Sequence, residues 1–169
     1  MSNPSARPKL PFPSDLIQSL GALTLTYSAL DLQLKLLVWK LISPEIQSVG
    51  KIVTASIPMA PLLDLLSSLL QLRTNDQALV DRMNSLVKNV DTLSRERNQI
   101  IHAIWVARPS GDTALRGRIT ARRAGFTEKV SLVRADDVYD LATRLQDATH
   151  QIVELEHSIV ASSPALTPR

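Results

Sequence analysis

The sequence predicts an all-α protein, an up-down helical bundle of four to five helices with a small β-hairpin inserted before the last helix. Three observations carry this. The ten prolines fall at positions 4, 8, 11, 13, 44, 58, 61, 109, 164 and 168, leaving three long tracts free of helix breakers. Within each tract apolar residues recur at steps of three and four, the period of one helix face. Only 4% of the residues are aromatic against 44% hydrophobic, so Leu and Ile stripes must supply the core, as they do in a bundle.

Residues 1–13 hold four prolines with Arg7 and Lys9 and read as a disordered lead. Ser14 offers an N-cap with Asp15 in the first turn, and Leu16, Leu20, Leu23, Tyr27, Leu30, Leu34, Leu37 and Leu41 form a stripe that runs to about Ser43. Pro44 stops that helix. A shorter helical piece is expected from Glu45 to Ala55. Pro61 suits the first turn of the next helix, with Leu62, Leu65, Leu69 and Leu72 inward. A further long helix starts near Asp76 with Leu79, Met83, Leu86, Val90, Leu93, Arg97, Ile100 and Ile104 in one stripe, one member of which is an arginine. The last helix opens at Asp136 or Asp137 and carries Val138, Leu141, Leu145, Ala148, Ile152, Leu155 and Ile159. The helical domain thus spans 14–161, and 162–169 read as a disordered tail.

Between the last two helices, residues 107–135 change character. Gly111, Gly117 and Gly125 and β-branched Ile119, Thr120, Val130 and Val133 replace the helical stripe, which predicts two strands, Leu115 to Arg122 and Glu128 to Arg134. This insert holds seven basic residues, Arg108, Arg116, Arg118, Arg122, Arg123, Lys129 and Arg134, against Asp112 and Glu128, a net charge of +5. The whole chain carries only +3, so the rest is net negative. Arg116, Arg118 and Arg122 share parity on one strand face. Clustered arginines supply the phosphate contacts that dominate nucleic-acid affinity, so the insert reads as an RNA clamp, or else as a solvated arm balanced by the acidic last helix.

At 169 residues the chain suits one domain. The absence of cysteine excludes a disulfide scaffold, thiolate zinc sites, iron–sulfur clusters and a thiol nucleophile. The richest apolar run, Leu30 to Ile42, is broken by Asp31, Gln33, Lys35 and Lys40, and the first residues hold no apolar signal core. A cytoplasmic protein with no membrane partner is expected.

Chemistry concentrates near the end of the fourth predicted helix, in Arg95-Glu96-Arg97-Asn98-Gln99-Ile100-Ile101-His102. Asn98 and His102 lie one turn apart on one face, Arg95 a turn before Asn98, and Arg97 on the flank. Imidazole moves protons near neutral pH, guanidinium binds phosphoryl oxygens, and an amide can orient either group.

Arg97, four residues, then His102 resembles the R-x4-6-H signature of HEPN domains, with Asn98 matching the polar residue that usually follows their arginine. The helix order and the β-rich insert agree, and the resemblance covers roughly residues 14–161. It implies a compact bacterial protein of the abortive-infection or toxin branches: a homodimer that pairs two copies of the motif and cleaves RNA without metal or other cofactor, with an antitoxin or inhibitor protein as a further partner. Arg97, Asn98 and His102 would be catalytic, with Arg95, Arg116, Arg118, Arg122 and Arg123 holding RNA.

Other readings of the same residues predict different surroundings. Arg97 could anchor the core by pairing with Asp31 or Asp64, and His102 could cap a helix end, making the chain a non-catalytic binding module. His150 and His157 read as surface residues beside Glu154 and Glu156; His150, Glu154 and His157 also have a spacing that a metal ion could use. Tyr27 or Tyr139 as acceptors of a nucleotide group have no motif behind them.

Overall fold

The computed structural model describes residues 10–42, 47–107, 114–122 and 125–162, and within these it leaves the side chains of 47, 118–122, 125–128 and 162 undescribed. The lead 1–9 and the tail 163–169 lie outside the described residues.

Helix α1 spans Ser14–Ile42 and is the centre of the bundle, packing against α5, α3 and α2. Its start is built by Pro13, whose carbonyl accepts from Ile17 N at 3.1 Å. Leu16, Leu23, Leu30, Leu34, Leu37 and Leu41 are buried along one face, each worth roughly 1.5–3 kcal/mol of apolar transfer. At its other end Arg73 of α3 donates from Nε to Leu41 O at 2.7 Å and from Nη2 to Ile42 O at 2.6 Å, satisfying carbonyls that a helix end leaves without partners.

Helix α2, Gln47–Thr54, is an inverted amphipath. Gly50 and Thr54 face Trp39 of α1, whose Nε1 donates to Thr54 Oγ1 at 2.6 Å, while Val49, Ile52 and Val53 face solvent. A Cβ at position 50 would sit 2.6 Å from Trp39 Cδ1, so only glycine lets the indole lie this close. The predicted end at Ala55 moves to Thr54, and the predicted start at Glu45 lies outside the described residues, as do all of 43–46.

Helix α3, Met59–Arg73, carries Pro61 in its first turn as expected. Its buried arc is Leu62, Leu63, Leu66 and Leu70, with Leu65 and Leu69 on the flank, and the expected inward Leu72 is 81% exposed. The reason is geometric: α3 packs against both α1 and α4, so the buried arc centres on the 62/66/70 line, and the expected stripe followed one edge of it.

Helix α4 spans Gln77–Ile101, and Asp76 caps it through Oδ1, which accepts from Ala78 N at 2.9 Å and Leu79 N at 3.3 Å. The stripe Leu79, Met83, Leu86, Val90, Leu93 and Ile100 is buried. Ile104 does not continue it: the helix ends before it, and Ile104 begins a strand with 54% exposure.

The insert is therefore a three-stranded antiparallel sheet, β1 (Ile104–Ala107), β2 (Ala114–Arg122) and β3 (Gly125–Val133), in the order β1-β2-β3. The predicted hairpin is present with longer strands; β3 starts at Gly125 because Arg122 pairs with Gly125 across a two-residue connection. The first strand escaped notice because Ile104 and Trp105 also fit the helical period of α4. Direct pairs place Ile104 with Gly117 and Val130, and Val106 with Leu115 and Leu132, on one face. Ile104, Val106, Val130 and Leu132 are exposed there, while Ala114 and Val133 on the other face are buried against the bundle.

Helix α5, Ala135–Ser162, buries every predicted member of its stripe from Val138 to Ile159. Asp137 Oδ2 accepts from Arg134 N at 3.2 Å, the acidic half of a capping box. Glu156 is a buried carboxylate on this helix. It is 6% exposed and binds Gln33 Nε2 at 2.9 Å and Lys40 Nζ, which joins α5 to α1. No helix among the described residues is long and apolar enough to cross a membrane.

Candidate active site

The site forms where α4 turns into the sheet. His102 is the C-cap residue: its N–H donates to Asn98 O at 3.1 Å, and Ala103 N donates to Ile100 O at 3.3 Å. Trp105 then folds back from β1, and its Nε1 donates to Ile100 O at 3.1 Å. The last turn of α4 is thus held by the strand that follows it. His102 thus sits at the helix end, where its backbone makes the cap; the residue is exposed, and its imidazole makes no hydrogen bond among the described residues, so the alternative of a hydrogen-bonded capping imidazole is not met.

Arg95, Asn98, Gln99, His102 and Ala103 line one surface groove of about 430 Å³. The structure therefore brings together three of the expected residues, Arg95, Asn98 and His102. Arg97 lies on the flank turned towards α1 and joins the groove through Asn98: its Nη1 donates to Asn98 Oδ1 at 3.0 Å. Its Cζ sits 4.5 Å from the centroid of the Tyr27 ring, a cation–π contact between α4 and α1.

The alternative in which Arg97 pairs with Asp31 or Asp64 is overturned. Asp31 binds Lys35 at 2.7 Å, Asp64 is exposed, and no carboxylate among the described residues bridges Arg97. Arg97 Nε is instead buried without a hydrogen-bond partner, as is Ser94 Oγ one turn earlier on α4. A buried donor left this way costs about 1–3 kcal/mol.

Neighbouring charges are committed elsewhere. Glu96 grips Arg144 of α5 through two bonds of 2.8 and 3.2 Å. Those hydrogen bonds raise the Arg144 pKa above the ordinary guanidinium value against a smaller opposing effect of burial. Arg95 binds Asp91 in its own helix, Nη2 to Oδ2 at 2.7 Å and Nε to Oδ1 at 3.3 Å, so its charge reaches the groove partly compensated.

Arg116 is half-buried opposite Trp105 in the register and donates from Nε to Ser131 Oγ at 3.2 Å. The side chains of Arg118 and Arg122, and Arg123 altogether, lie outside the described residues. On β2 Arg116 shares the face of Ala114, which is buried against the bundle.

His150 and His157 are exposed as expected. With Glu154 they form no metal-binding group, since no three His, Cys, Asp or Glu side chains among the described residues are placed to hold an ion.

Comparison of the chain with models of protein families, with curated proteins and with solved structures finds no match.

Sequence reasoning missed Tyr27 and Gln99 as parts of this site. Gln99 follows Asn98 and could have been read from the helical wheel. Tyr27 had no such signal, because its meeting with Arg97 depends on how α1 crosses α4.

Proposed function

We propose that the protein is a metal-independent endoribonuclease of the HEPN type. The observation that carries this reading is the groove in which Asn98 and His102 stand one turn apart, with Arg97 hydrogen-bonded to Asn98 and free of any carboxylate among the described residues. Internal cleavage of RNA needs a base for the 2′-OH, an acid for the leaving 5′-oxygen and a cation for the phosphoryl oxygens. His102 moves the proton, Arg97 stabilises the charge that builds on phosphorus-bound oxygen, and Asn98 orients Arg97. Arg95 at the groove and Arg116, Arg118, Arg122 and Arg123 of the basic insert hold the RNA backbone.

One groove offers one imidazole, whereas the reaction uses an acid and a base together. A homodimer that sets two copies of His102 against one phosphodiester meets that need. An enzyme of this kind serves as a toxin or in phage defence and is held in check by an antitoxin or inhibitor protein. The products carry 2′,3′-cyclic phosphate ends, and analysis of the termini made in EDTA tests the reading; 3′-hydroxyl ends would contradict it.

The stacking of Arg97 on Tyr27 also suits a second reading, a non-catalytic helical module in which Arg97 serves packing and the sheet contacts a protein or nucleic acid. Protein that binds RNA and never cuts it would favour this one.

A further inference from the structure

Helix α1 is apolar on two sides. Its inner stripe fills the core, and on the opposite side Gly21, Leu25, Ser28 and Leu32 form a second stripe at steps of four, three and four. Leu25 is 73% exposed and Leu32 52%, and Gly21 and Ser28 are exposed on the same side. No charged residue occurs from Leu16 to Leu30. The outer faces of α4 and α5 differ: Asp81, Arg82, Lys88 and Arg95 stand on one, and Asp136, Asp140, Arg144 and Asp147 on the other. A solvated helix face ordinarily carries such charges, whereas an uncharged face with exposed leucines is the kind that another surface covers.

The details of the face agree. A Cβ at Gly21 would meet nothing within 4 Å, so the protomer itself has room for a side chain there. Glycine is the poorest helix former after proline, and its use inside this helix suits close approach from outside. The hydroxyls are satisfied within the helix: Ser28 Oγ donates to Thr24 O at 2.9 Å and Thr24 Oγ1 to Leu20 O at 2.8 Å, so covering them strands no donor. The stripe continues past Leu36 to Trp39, and there it is already covered, with Gly50 of α2 set against the indole.

We infer that the outer face of α1 binds the same face of a second copy of this chain, antiparallel about a two-fold axis that passes between Leu25 and Ser28. The occupant follows from the spacing. Such an axis sets Leu25 against Ser28 of the second copy and Leu32 against its Gly21, a large residue on a small one throughout, as knobs enter holes. A parallel pair would stack leucine on leucine and leave glycine facing glycine. Charge agrees: on one flank, the antiparallel pair brings Asp15, exposed at the start of α1, to the turn of the second copy that carries the half-exposed Lys40. The inference stands on the face of α1 and holds whether or not the protein cuts RNA.

Sedimentation of the full-length chain tests the pairing. Native protein is expected at twice the 18.6 kDa of one chain. Leu25→Glu buries a charge in the pair but alters only an exposed position of the protomer. It should raise the dissociation constant by about 100-fold or more with an unchanged helical circular-dichroism spectrum. Val106→Glu, on the exposed face of the sheet, should stay dimeric. A native monomer at roughly 100 μM, a Leu25→Glu dimer as tight as the native one, or a folded Val106→Glu monomer overturns the inference.

Cross-linking reads the orientation and does not depend on the glutamate variant. The chain has no cysteine, so Gly21→Cys and Leu32→Cys each add a single thiol. Together they hold as many side-chain heavy atoms as the glycine and leucine they replace. Oxidation of the mixture should join unlike chains, and neither variant should cross-link alone. A disulfide in either variant by itself, or none in the mixture, overturns the antiparallel pairing. A Leu25→Glu monomer that cuts RNA at the native rate upholds the pairing face and contradicts the paired-imidazole reading.

Discussion

The guanidinium carbon of Arg97 lies 4.5 Å from the centre of the Tyr27 ring, tying α4 to α1 without a carboxylate. An arginine in an apolar stripe is usually explained by a buried ion pair, and breaking such a pair costs about 3–5 kcal/mol. A half-exposed cation–π contact is worth about 0.5–2 kcal/mol. Arg97→Ala should therefore lower stability by about 1 kcal/mol in urea titration, with an unchanged m-value. A loss of several kcal/mol would mean that Arg97 is a packing anchor first.

Lys40 and Gln33 hold the buried carboxylate of Glu156 between α1 and α5. Lys40→Met leaves that carboxylate with only an amide partner. Because the lysine is itself half-exposed, the expected loss is about 2–3 kcal/mol, below the fully buried case. Lys40→Met with Glu156→Met should recover much of it, and equilibrium unfolding of the two variants checks both statements.

Gly50 allows Trp39 to lie against α2, with a Cβ at that position only 2.6 Å from Cδ1 and 2.9 Å from Trp39 Cβ. The second of these atoms lies at the root of the side chain and cannot swing away. Gly50→Ala should displace α2 and cost about 1–3 kcal/mol, the usual range for overpacking. Tryptophan fluorescence reads it, with Trp105→Phe as background to isolate Trp39.

Leu63 and Leu72 lie on the same helix and are predicted to behave oppositely. Leu63 is buried and Leu72 is 81% exposed. Leu63→Ala should cost about 2–5 kcal/mol, while Leu72→Ser should change stability by less than about 0.5 kcal/mol. Thermal melts of the two variants decide whether the buried arc of α3 is placed correctly.

The helices were legible in the sequence because each buries an apolar arc that follows the helical period. α5 shows this best: every member of its stripe from Val138 to Ile159 is buried. Legibility failed where the stripe followed one edge of the buried arc or the chain leaves the helical period. The buried arc of α3 centres on the 62/66/70 line, which leaves Leu72 outside it. Ile104 continues the period of α4 but belongs to β1, since the turn at His102 depends on the return of Trp105 to Ile100 O. Within the site, Asn98 and His102 were readable as neighbours one turn apart, a local relation. Tyr27 and the commitment of Glu96 to Arg144 arise from helix crossings that no local spacing encodes.

The most direct measurement is the rate at which native protein and His102→Ala cleave a single-stranded RNA in EDTA. Removal of the group that moves the proton should lower the rate by about 100-fold or more while the variant keeps its fold and its affinity for a 2′-deoxy analogue. A His102→Ala protein that cleaves at the native rate, or native protein that does not cleave at all, would contradict the assignment of this groove as a ribonuclease active site.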